Sequence, residues 1–122
     1  MQNPYQNYKQ QSINTMTQGE MLILLYDELL KRLTRAEFSL DNKEYDIFEQ
    51  SVQRSKEIVV YLKDTLDLSY EISAELARMY NFFEYTLIRI SAGRNKELIG
   101  ELKPLVKDLR DTFNEANKTA RL

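Results

Sequence analysis

A chain of 122 residues, 43% of them hydrophobic, can bury one core without staples and is too apolar in composition to stay unfolded. Its 17 basic residues nearly balance 19 acidic ones, and the net charge of -2 argues against nucleic acid or an anionic membrane as main partner. With no Cys and no His, thiol catalysis, disulfides, the usual zinc sites, Ser-His nucleophile activation and histidine phosphotransfer are excluded as ordinarily built.

Residues 1–16 (MQNPYQNYKQQSINTM) are rich in Gln and Asn, contain Pro4 and hold no sustained apolar period, which predicts a mobile N-terminal arm. Residues 17–122 then read as one domain. The first helix opens at Thr17, whose spacing to Glu20 is that of a capping box. Its stripe of Leu22, Leu25, Leu29, Leu33, Ala36 and Leu40 advances by threes and fours, keeping one face buried over about five turns. Asp41-Asn42-Lys43-Glu44 breaks the pattern and offers a second cap.

A second helix carries Phe48, Val52, Ser55, Val59, Leu62 and Leu66 on one face. The third, entered through Ser69 with Glu71 in its first turn, carries Ile72, Leu76, Tyr80, Phe83, Leu87 and Ile90, with Met79 beside them. Ser91 to Asn95 ends it. The fourth reads as Leu98, Leu102, Leu105, Leu109, Phe113 and Ala116, and Pro104 inside it predicts a kink near Ile99–Lys103 or a break into two helices. Period-two alternation is nowhere sustained. Short links between four amphipathic helices leave an all-α, antiparallel up-down four-helix bundle as the economical fold.

Two helices are more apolar than a bundle requires. At about 100° per residue, Ile47, Ile58 and Tyr61 fall roughly 80–140° to one side of the second helix's core stripe. On the third helix, Phe82, Tyr85 and Ile88 lie about 110–170° from the core centre, and on the first, Leu24 and Phe38 point roughly opposite the stripe. Any one of these could simply widen the core. As a set they suggest grooves that a partner helix could fill. Tyr5 and Tyr8 lie in the arm, where a tyrosine is either a contact anchor or a cover for the bundle's own grooves.

Catalysis finds little support. Only three glycines occur, without a phosphate-binding loop. Asp64, Asp67, Glu71 and Glu75 could place carboxylates on one face, as in helical magnesium-dependent hydrolases, but a solvated turn with ordinary caps is the simpler reading. The expectation is a protein that is no enzyme, with no cofactor, no metal and no small-molecule substrate. No apolar run reaches the ~20 residues of a membrane span and no signal pattern opens the chain, so a cytoplasmic protein without membrane insertion is expected.

Motifs spread along the whole chain add a resemblance. Asn3-Pro4-Tyr5-Gln6-Asn7-Tyr8, Ile13-Asn14-Thr15, Glu20-Met21-Leu22 and Leu25-Tyr26-Asp27, followed by Glu71 to Leu76, Met79 to Phe82 and Leu109 to Phe113, resemble in order and spacing the FliS family of flagellar secretion chaperones. Met16 to Gly19, Phe113 in place of the usual Trp, and Pro104 depart from that pattern. The resemblance implies binding of flagellin's disordered C-terminal segment, which prevents premature polymerisation. It also implies delivery to the flagellar type III export gate, the FlhA cytoplasmic domain. Mapped onto this chain, it implies a gate contact at Tyr5 and Tyr8 and an arm that covers part of the client surface. The apolar positions Ile47, Ile58, Tyr61, Phe82, Tyr85 and Ile88 are the expected flagellin contacts. A helical regulatory protein that sequesters another protein partner is the alternative.

Overall fold

Four helices follow one another with short links: α1 Gln18–Asp41, α2 Tyr45–Asp64, α3 Ile72–Gly93 and α4 Lys96–Ala120. The computed structural model describes residues 16–120, so Tyr5, Tyr8 and the arm as far as residue 15 lie outside the described residues. No strand occurs among the described residues, and the all-α four-helix arrangement stands as the sequence pattern predicts.

Local chemistry explains the helix limits. Thr17 is the N-cap of α1, its hydroxyl accepting from the Glu20 amide at 3.2 Å and satisfying one of the donors a helix start leaves open. The first turn of α1 lies against the last turns of α4, where a Cβ at Gly19 would stand 3.0 Å from Asn117 Oδ1 and only the Asn117 side chain would have to turn aside. Arg94 ends α3 in the left-handed conformation, and Asn95 Oδ1 accepts from the Leu98 amide to start α4. The entry to α3 differs from expectation. Ser69 caps nothing on α3; its amide and hydroxyl both donate to Asp67 Oδ1 at 3.0 and 2.6 Å, and the helix begins only at Ile72. The small residue Ser73 donates to the Asp67 carbonyl and ties this turn to α3.

The helices form a four-cornered bundle in chain order. α1 packs most closely against α2 and α4, α2 against α3, and α3 approaches α4 least. Three ion pairs run down the α1–α4 edge: Asp27 with Arg110 at 2.9 Å, Glu37 with Lys103 at 2.7 Å, and Asp41 with Lys96 at 2.7 Å. The α4 partner numbers fall as the α1 numbers rise, which is the antiparallel register. Lys63 and Glu84 link α2 to α3 at 2.9 Å.

The core is aliphatic and aromatic, with Leu29, Leu33, Phe48, Phe83, Leu87 and Ile90 all sealed from solvent. It also holds a polar pair. Tyr26 and Tyr80 are fully buried, and their hydroxyls share a hydrogen bond of 2.5 Å. Tyr26 stacks obliquely on Phe113, ring centroids 5.8 Å apart. Burial raises both phenols above the ordinary tyrosine value.

Two expectations fail in detail. Ile72, read as the first core residue of the third helix, is 54% exposed, because the inward positions at the start of this helix are taken by Ser73 and Leu76, both buried. On α4 the buried positions are Ile99, Leu102, Val106 and Leu109, whereas Leu105 is exposed and Leu98 only partly covered. The helix has rotated its buried face towards the β-branched residues, turning Leu105 and Pro104 outward. Pro104 does not split the helix: α4 runs unbroken from Lys96 to Ala120. The residue four before Pro104, whose carbonyl the ring would press on, is Gly100, exposed and with open space where a Cβ would be. A solvent-facing carbonyl can tilt away there at low cost.

Candidate functional site

Exposed apolar side chains gather on opposite edges of the bundle. Between α1 and α2 runs a trough of about 640 Å³, floored by Met21, Leu24 and Leu25 from α1 and by Ile58 and Tyr61 from α2. The antiparallel crossing puts the start of α1 beside the end of α2, which is why residues 37 apart in sequence (Leu24 and Tyr61) line the same end of the trough. Ser51, fully buried, forms part of the trough, and its carbonyl accepts from the Ser55 hydroxyl at 2.9 Å.

The rim is charged. Arg32 and Glu28 pair at 3.6 Å across one turn of α1, and Arg54 and Glu57 at 3.1 Å across one turn of α2. Arg35 completes the lining.

The opposite edge is the loose α3–α4 seam. Phe82 lies there with Met79 and Phe83 of α3 and Leu105 of α4 around a shallow hollow of about 290 Å³. Tyr85 and Ile88 continue the exposed face of α3, the Tyr85 ring carrying the Arg89 guanidinium 5.7 Å from its centre. Leu68 and Tyr70 stand exposed on the α2–α3 link, next to Ile72.

The six apolar positions expected to contact a client therefore do not converge. Ile58 and Tyr61 share the α1–α2 trough. Phe82 belongs to the α3–α4 seam, and Tyr85 and Ile88 to the outer face of α3. Ile47 shares its flank of α2 with Ile58 but lies at the α1–α2 turn beside Lys43 and Glu44. Sequence reasoning missed Met21 and the arginines of the trough. Their spacing from Leu24 and Leu25 was visible, but which flank of α1 faces α2 was not. A third hollow, about 250 Å³, opens at the bundle end among Leu22, Leu66, Ile72, Leu76, Tyr80 and Phe113.

The acidic group at the α2–α3 junction has a local explanation. Asp67 serves the Ser69 turn, and those hydrogen bonds hold its carboxyl below the usual carboxylate range. Among the described residues no three acidic side chains are grouped so as to hold a metal ion, and no helix is long and apolar enough to cross a membrane.

Fold and surface thus define an all-α four-helix bundle whose apolar residues exceed what its core takes up, the surplus lying in grooves on two edges. The family model described as Flagellar protein FliS matches residues 1–120, and the chain belongs to that family. It is similar to the flagellar secretion chaperone FliS of Bacillus subtilis (strain 168), with 29% identity over 121 residues that cover 99% of this chain and 91% of that protein.

Proposed function

We propose that this chain is a cytoplasmic flagellar export chaperone, not an enzyme. It binds the disordered C-terminal segment of flagellin, prevents premature polymerisation and helps deliver the client to the export gate, the FlhA cytoplasmic domain. Family membership supports the chaperone role. The observation that carries client binding is the placement of Ile58, Tyr61 and Phe82 in grooves on the bundle surface rather than in its core. A disordered segment cannot offset the entropy of ordering unless it buries apolar area, and these grooves offer it. A client wrapped over both edges would reach the trough and the seam together, which accounts for contacts that do not converge on one pocket. No nucleotide is needed in this scheme; release follows handover to another binder.

Calorimetry against a peptide spanning the C-terminal region of the same organism's flagellin tests the reading. One-to-one binding with a large negative heat-capacity change is expected, the mark of apolar burial coupled to folding. Ile58→Asp and Phe82→Asp should each weaken it at least about tenfold, as a charge in an apolar contact must. Unchanged affinity in both variants would remove the grooves from client binding. Absence of heat and of any melting shift would turn attention to sequestration of a different protein. The gate contact assigned to Tyr5 and Tyr8 predicts that Tyr5→Ala with Tyr8→Ala weakens binding to the FlhA cytoplasmic domain and leaves flagellin affinity intact.

A further inference from the structure

The α1–α2 trough has a chemical polarity along its length. At one end its floor is apolar, where Met21, Leu24 and Leu25 meet Ile58 and Tyr61. Towards the other end arginines take over. Three arginines line the trough against two glutamates, a positive balance on a chain whose net charge is -2. Both glutamates are engaged: Glu28 has Lys31 at 3.5 Å and Arg32 at 3.6 Å, and Glu57 has Arg54 at 3.1 Å. The guanidinium of Arg35 has no carboxylate partner among the described residues, while it stands exposed at the trough's edge. Arg35 is eleven residues beyond Leu24, or about 16 Å along the helix axis.

We propose that the trough accepts an amphipathic helix of a partner protein that carries an acidic side chain about three turns from its apolar anchor residues, the carboxylate pairing with Arg35. Two helical walls and a length of about 20 Å from Met21 to Arg35 suit a rod-shaped occupant. The apolar end supplies burial. The unpaired guanidinium sets direction, because a helix laid the other way would put its carboxylate over Met21 and Leu24 without a partner. This rests on the reading of the trough as a client site and adds to it the charge pattern and polarity of what docks there.

The test uses the full chain and two synthetic helical peptides of about five turns. They share one apolar stripe and differ only in bearing a glutamate or a lysine three turns along it. Fluorescence anisotropy on wild type should show the glutamate peptide binding about five- to tenfold tighter, the gap closing in about 0.5 M salt. Arg35→Gln should erase the preference and Arg35→Glu should reverse it, with the melting temperature unchanged because Arg35 is exposed. Equal affinity for the two peptides, failure of both to bind, or equal weakening of both by Arg35→Glu overturns the proposal. The flagellin peptide separates it from the broader reading. If wild type and Arg35→Glu bind that peptide equally, the charge pattern falls and the chaperone role stands. If flagellin fails to bind while the glutamate peptide is still preferred, the chaperone role falls and the polarity of the trough stands.

Discussion

Phe82 and Phe83 are neighbours on α3, and they belong to different halves of the protein. Phe83 is 1% exposed in the core, and Phe82 is 52% exposed in the seam towards α4. The same contrast holds for whole edges of the bundle. Along α1–α4, buried apolar side chains are fenced by a row of three ion pairs. Along α3, aromatic and aliphatic groups face outward, and α3 meets α4 more loosely than any other neighbouring pair. Among the described residues, one edge is closed by packing and ion pairs and the other keeps open apolar surface, so the two edges differ both in how tightly they pack and in which side chains they present.

The widest separation between the two is expected from the phenylalanines. Phe83→Ala should destabilise the fold by about 3–5 kcal/mol in urea unfolding, the usual cost of an aromatic cavity. Phe82→Ala should stay within about 0.5 kcal/mol. A large effect of Phe82→Ala would move the seam from the binding surface into the core. Pro104→Ala should raise stability by about 1–3 kcal/mol, since an alanine restores a backbone donor on the exposed face of a helix that is already continuous. No gain would mean that α4 bends at Pro104 to fit α1.

The buried phenols give a smaller and pH-dependent signature. Tyr26→Phe should cost about 1–2 kcal/mol by stranding the Tyr80 hydroxyl, and the double change to Phe should cost less than the two singles added. Both phenols titrate above the ordinary tyrosine value in the fold, so as pH rises past about 10 the unfolded chain releases those protons first. The native state then binds more protons, and stability falls with rising pH by up to about 1.4 kcal/mol per unit for each phenol. Urea titrations between neutral pH and the alkaline limit should lose that part of the slope in the double Phe variant. The smallest effect belongs to the ion-pair row. Lys103→Ala should cost about 0.5–1 kcal/mol, most of it already absent in strong salt, because the pair with Glu37 is only half-buried.

Much of this was legible in the chain itself. The stripes from Leu29 to Ala36, from Phe48 to Leu62 and from Leu76 to Ile90 were readable because a 3.6-residue period leaves little choice of face when one side is consistently apolar. Thr17 announced the start of α1 by its spacing to Glu20. The α4 face was misread because leucines and β-branched residues alternate there: Leu98 and Leu105 compete with Ile99 and Val106 for the core at nearly equal hydrophobicity. Tyr26 was passed over as a core residue because a buried phenol needs a partner for its hydroxyl, and that partner is 54 residues away. Of the candidate site, the exposure of Tyr61, Phe82, Tyr85 and Ile88 was foreseen from their angles on the helices.

Composition, periodicity and caps by themselves determined four amphipathic helices, their antiparallel order and an apolar surplus, because these depend on local geometry and on total apolar content. Only the tertiary structure decided that the surplus divides between two opposite edges, that α1 rather than α4 walls the trough with α2, and that Arg35 has no carboxylate partner among the described residues. Those facts depend on the rotation of each helix about its axis, which is settled by packing against neighbours far away in the chain.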